Sequence, residues 1–164
     1  WGTATSSTQL MAHRLRVHNE EVAFILLPFI KRQYAARCHA ILEFYDSSGT
    51  QIFQMRGRWI NVPEISAVSP GSQFERAYYP DPIDILGDSH EYLDCLVQFI
   101  SGGDVYAWNN ESYFHGGRTP GRYLTPGAYQ VRVTVFPQNG DRSVGRFDVF
   151  VDNNPMRTRI TSRN

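Results

Sequence analysis

The chain has 164 residues, with 16 basic and 16 acidic side chains, a formal net charge of zero and 41% hydrophobic residues. That is enough for one domain with a core that needs no disulfide staples, and the balance excludes a disordered polyelectrolyte and a general, basic nucleic-acid binder. A membrane-spanning helix is excluded too, since the longest apolar run, Val22 to Ile30, is nine residues with Pro28 inside it, against about 20 needed to span.

Beginning at Trp1 rather than at a methionine, the sequence reads as a processed chain or an excised fragment. Residues 1–9 form a polar tail or linker, residues 10–152 a domain, and residues 153–164 a polar, basic C-terminal tail in which order fades. Within the domain, alternation of apolar and polar residues marks half-buried strands from start to finish. Leu15 and Val17 define the first. The run from Val22 to Pro28 continues or switches it, with Pro28 restricting it to an edge or bulge; a groove for a partner is the other reading of that run. Cys38, Ala40, Leu42 and Phe44 share one face of the next strand. Asp46-Ser47-Ser48-Gly49 turns it into a third strand, Ile52 to Ile60, with Phe53, Met55 and Trp59 on its core face.

Further along, Leu93, Cys95, Val97 and Phe99 fall on one face, as do Tyr129, Val131, Val133 and Val135. Gln138-Asn139-Gly140-Asp141 then joins the latter strand to Phe147, Val149 and Val151, and Asn-Gly between two alternating runs is a strong hairpin signal. With many strands and no amphipathic helix, two sheets must bury each other's faces, so the expected fold is an all-β antiparallel sandwich of about seven to nine strands.

Two connections are long, Asn61 to Ser89 and Gly102 to Pro126, and long loops in compact domains are often functional. The second holds Trp108, Asn109, Asn110, Glu111, Tyr113 and Tyr123. Aromatic faces beside Asn and Glu groups suit a glycan. Equally, asparagines stabilise irregular loops through their own backbone, and Trp and Tyr plug the ends of sandwiches. The first holds Asp81, Asp84 and Asp88, followed by Glu91; oxygen ligands of this kind are what calcium takes, although the alternating pattern of an EF-hand is missing. The histidines and cysteines show no zinc spacing. Ser112 and His115 with Glu111 lack the Gly-x-Ser-x-Gly elbow of a hydrolase, and no cofactor fingerprint is present. Residues 77–117 carry seven acidic side chains and no lysine or arginine, so the remainder carries a matching positive excess. Such a split suits charge-driven association with a partner or with a second copy.

The stretch "LTPGAYQVRV", and the order of "LRVHN", "CHAILEFYDSSGTQI" and "DILGDSHEYLDCLVQF", resemble uncharacterised prokaryotic immunoglobulin-like domains, similar to bacterial cell-adhesion-related ones, over roughly residues 13 to 152. The Asn-Thr-Gly turn common after the first strand of that family is here Asn19-Glu20-Glu21. The resemblance implies an immunoglobulin-like or fibronectin-like sandwich and a non-enzymatic interaction or structural module in a cell-surface or extracellular setting. It also implies that Trp59 is the buried tryptophan of such sandwiches and that Tyr129 is a corner residue whose hydroxyl returns to backbone. Cys38 and Cys95 would be neighbours in one sheet, serving as small buried hydrophobes with free thiols. Partners would be a protein, or a second copy joined through sheet edges.

Overall fold

A computed structural model describes residues 9–19, 34–62 and 79–163. The apolar run after the first strand and residues 63–78 of the Asn61–Ser89 connection lie outside these residues. Eleven strands are present among the described residues, more than the sequence suggests, because several are only two to four residues long. They form two antiparallel sheets, an all-β sandwich.

One sheet holds β1 (Leu10–Asn19), β4 (Arg58–Trp59), β6 (Ser89–Phe99), β7 (Val105–Ala107) and β8 (Tyr123–Leu124). Its order is β1-β6-β7-β8, with β4 also on β6. The other holds β2 (Tyr34–Tyr45), β3 (Gln51–Arg56), β5 (Ile83–Leu86), β9 (Gly127–Phe136), β10 (Ser143–Val151) and β11 (Arg159–Ser162). Its order is β11-β10-β9-β2-β3, with β5 pairing the start of β2.

Both hairpin turns form where turn chemistry placed them. Asp46 Oδ1 accepts from the backbone N–H of Ser48 and of Thr50, each at 2.9 Å, and fixes the β2–β3 turn. Asn139, in the β9–β10 turn, accepts from the N–H of Ala36 at 2.8 Å and donates to the carbonyl of Tyr34 at 2.9 Å, tying the turn to β2. The alternating residues Cys38, Ala40, Leu42 and Phe44 of β2 are all buried, and Phe44 stacks on Phe53 with centroids 4.6 Å apart.

The third strand is shorter than its sequence pattern, and Trp59 does not lie on it. The chain leaves the larger sheet at Gly57, whose N–H donates to the carbonyl of Ala40 at 2.8 Å, and enters the smaller sheet as β4. A side chain at Gly57 would fall 2.8 Å from Leu42 Cδ1 and 2.9 Å from Leu93 Cδ1, atoms of the two facing sheets, so the crossing is made where no Cβ intervenes. Trp59 reaches the core from the opposite side, 1% exposed, and its indole N–H donates to the carbonyl of Cys38 at 2.9 Å.

Two further expectations are corrected. Cys38 lies on β2 and Cys95 on β6, so the cysteines sit in opposite sheets rather than side by side; both are buried and neither is in a disulfide. Burial, helped by the adjacent Asp94 carboxylate, pushes the Cys95 thiol well above its usual range. The C-terminal segment read as a tail contributes β11 against β10, with Ile160 opposite Val149 and packed on the core. Thr158 and the carboxylate of Asp152 bond the intervening turn, and Arg163 Nε lies 2.7 Å from Asp148 Oδ1. With one apolar residue in four, "RITS" is too weakly patterned to announce a strand. Tyr129 does donate its hydroxyl to the carbonyl of Thr125, at 2.9 Å.

Replacing Trp59 by Phe keeps most of the apolar volume but removes the buried hydrogen bond from the indole to the carbonyl of Cys38. The expected loss is about 1–3 kcal/mol of stability, to be measured by urea unfolding followed by circular dichroism.

Candidate functional site

The site begins with one extra residue. Along β1 and β6, His13 pairs with Leu96 but Arg14 pairs with Asp94, which leaves Cys95 unpaired as a β-bulge. A bulge resets the alternation of a strand. Before it, Leu93 faces the core and Asp94 faces outward; after it, Leu96 and Gln98 take the inner side, opposite the core residues Ala107 and Val105 of β7. Val97 and Phe99 therefore turn to the outer face and do not share the face of Leu93, as simple alternation predicts. They are nevertheless 2% and 1% exposed. Something covers them.

The cover is the Gly102–Pro126 connection. It contains a 3-10 helix, Asn110–His115, and folds back at Gly116 and Gly117, both at positive φ. A Cβ on Gly117 would sit 3.0 Å from Phe99 Cζ and 3.3 Å from Trp108 Cζ3, which shows how closely the loop presses on the sheet. Its polar groups hold the loop in shape. Asn109 Oδ1 accepts from Arg122 at 2.7 Å, while Asn109 Nδ2 donates to the carbonyl of Arg56 at 3.1 Å. Arg122 also pairs with Glu111. Ser112, fully buried, accepts from the Thr119 hydroxyl at 3.0 Å and from the Asn109 N–H at 3.2 Å.

Of the residues the sequence singled out for a glycan, Asn109 and Asn110 are each 2% exposed and Glu111 is engaged by Arg122. Trp108 and Tyr113 are half-buried against one another, centroids 5.0 Å apart. Tyr123, on the short edge strand β8, is 46% exposed. The six are neighbours in the fold, but they do not turn their polar groups toward a common cavity. His115 is exposed while Ser112 is buried and bonded elsewhere.

Beside the loop lies a charged centre that sequence reasoning missed. Asp94, 3% exposed, accepts from Arg14 Nε at 3.0 Å through one oxygen and from the buried Arg58 through the other. Arg58 also lies 5.7 Å from the Tyr113 ring centroid. Asp94 inside an otherwise apolar run was the available signal, because a carboxylate buried on a strand requires a cationic partner.

An aromatic row runs from under the loop out to solvent, with Phe99 buried, Tyr106 half-buried and Tyr123 exposed. Phe99, Tyr106 and Tyr123 follow one another across β6, β7 and β8, with centroids 6.0 and 5.3 Å apart, and the Arg118 guanidinium lies 3.7 Å above the Phe99 ring. The exposed Leu10 pairs opposite Phe99, and the exposed Ile100 donates its N–H to the carbonyl of Gln9 beside it.

The acidic residues of the middle segment scatter to separate partners. Asp84 accepts from the N–H of Arg37 at 2.7 Å, Asp88 lies 3.5 Å from His18, and Glu91 accepts from Asn61, while Asp81 lines a cleft of about 300 Å3 with His39, Arg56, Trp59 and Phe136. No group of three or more potential metal ligands occurs among the described residues, so the calcium candidates are not brought together. Burial, then the nearby Arg37 and Arg56, lower the His39 pKa in that cleft. No helix among the described residues is long and apolar enough to cross a membrane.

Replacing Asp94 by Asn leaves Arg58 buried without a counter-charge and is expected to cost about 3–5 kcal/mol. The double variant Asp94→Asn/Arg58→Met removes both charges and should recover part of that loss, a coupling read from a double-mutant cycle in urea. Comparison of the chain with protein-family models, with curated proteins and with solved structures finds no match.

Proposed function

We propose that this chain is a non-enzymatic, immunoglobulin-like interaction module, a unit of a larger or assembled protein at a cell surface, and that it meets its partner through the outer face of the five-stranded sheet. The observation that carries this reading is the tyrosine pair Tyr106–Tyr123, the solvent-reaching end of an aromatic row whose inner member, Phe99, is buried under the loop. An antiparallel sandwich needs apolar side chains only on its two inner faces, and its outer faces are normally polar. Tyrosines bury large area at small entropic cost and are enriched in protein contacts. The exposed Leu10, opposite Phe99 on β1, and Tyr123 on β8 carry the row to the two edges of the sheet.

The loop supports the strip, because the bonded Asn109 and the arginine–glutamate pair make a rigid backing that need not be ordered when a partner arrives. Self-association through this face is favoured over association through the acidic middle segment. Asp94 and Glu111 of that segment already pair with Arg14, Arg58 and Arg122 of the basic flanks within one chain, so less charge is left to attract a second copy. A glycan could use Tyr123 and Tyr106 as a stacking platform, but it would find the loop's asparagines buried.

The test is sedimentation velocity from low micromolar to near-millimolar chain, at low and high salt, on the wild type and on Tyr123→Asp. Assembly that persists in high salt and is lost in the variant is the expected result. Assembly that high salt abolishes would move the contact to the charged segments, and a monomer under every condition would refute self-association by this face.

A further inference from the structure

The outer face of the six-stranded sheet carries a row of charge that the sandwich does not need. On neighbouring strands Glu43, Arg132 and Arg146 stand directly opposite one another, and the N–H of Arg163 donates to the carbonyl of Arg146 at 2.8 Å, which brings a third arginine to the end of the row. Directly opposed like charges on a sheet are destabilising, yet Arg132 and Arg146 are so placed.

The flanking arginines are held by carboxylates. Arg132 donates from Nε and from one terminal nitrogen to the two oxygens of Glu43, each at 2.6 Å, and Arg163 Nε lies 2.7 Å from Asp148. These bonds keep Glu43 ionised, its pKa lowered chiefly by the Arg132 hydrogen bonds. Arg146, between them, is exposed and its side chain bonds none of the described residues. Among the described residues three guanidiniums face two carboxylates here, which leaves an excess of positive charge. Arg132, Arg146 and Arg163 line one cleft of about 210 Å3 together with Tyr45 and Gln130.

We propose that this cleft is an oxyanion site that takes a phosphate or sulfate group between Arg146 and its two neighbours. The guanidinium fork matches such oxygens in pairs. Glu43 and Asp148 orient Arg132 and Arg163 while leaving terminal N–H groups to donate. An anion set between Arg132 and Arg146 converts their repulsion into a shared attraction. The volume suits one such group and not an extended polyanion. The site lies on the opposite sheet from the aromatic strip and is independent of it.

The probes are inorganic phosphate, inorganic sulfate and phenyl phosphate, titrated into the full chain at constant ionic strength with chloride. The readout is the NMR shift of the arginine side-chain Nε–H groups. Saturable shifts at Arg132, Arg146 and Arg163 are expected. Arg146→Gln should weaken binding by about tenfold or more, the loss of one charge-assisted contact, while Arg16→Gln on the other sheet should leave it unchanged. Tighter binding of phenyl phosphate than of the free ions would assign the site to an ester carried on a larger molecule, and equal binding would assign it to the free ion. Shifts that rise linearly without saturation, or that are the same in Arg146→Gln, would overturn the proposal. Arg146 is exposed, so the variant should fold, and its circular dichroism spectrum checks this.

Discussion

The bulge at Cys95 is the constraint on which much of the smaller sheet depends. One residue inserted opposite the His13–Arg14 step divides β6 into two halves of opposite parity. The first half presents Leu93 to the core and Asp94 to the outside. The second presents Leu96 and Gln98 inward and sends Val97 and Phe99 outward. Without the shift, Phe99 would point into the interior and the 102–126 connection would have no apolar surface to lie on. With it, the strand is buried on both faces from Leu93 to Phe99, and the sandwich acquires a partial third layer on one side.

That layer accounts for the chemistry of the loop. A segment pressed on a sheet without being part of it must satisfy its own polar groups. Here Asn109, Ser112, Thr119 and Arg122 do so with one another and with the backbone of Arg56. The same covering removes Arg58 and Asp94 from water. A single buried ion would be untenable there, but the pair is bonded, and the half-exposed Arg14 supplies a second donor. A buried pair of this kind is weak as a source of net stability. Its more definite consequence is positional, because it joins β1, β4 and β6 at one point.

The two outer faces differ in kind. The smaller sheet is aromatic beyond the loop, and the larger is charged, with paired carboxylates and arginines in rows across its strands. Long-range separation of charge along the chain does not survive as separation in space. β6, from the acidic middle, lies against β1, from the basic flank, and antiparallel pairing sets Arg14 opposite Asp94. Among the described residues Arg146, on the outer face of the larger sheet, is one charge that keeps no ion-pair partner.

Local sequence was enough for the all-β class, for both Asp/Asn-Gly hairpins and for the inward faces of β2, β9 and β10, because period-two alternation and turn chemistry act over a few residues. It also marked the Gly102–Pro126 connection by length and aromatic content, although not which of its side chains would remain exposed. Strand β5 was within reach, since Ile83 and Ile85 alternate with Asp84 and Leu86, but two prolines just before it read as loop. The crossing at Gly57, the parity change at Cys95, the strand in "RITS" and the placement of the two cysteines in opposite sheets were settled only in three dimensions. Each depends on which strand comes to lie alongside, and a bulge or sheet switch is created by the partner's register, which no residue carries within its own neighbourhood.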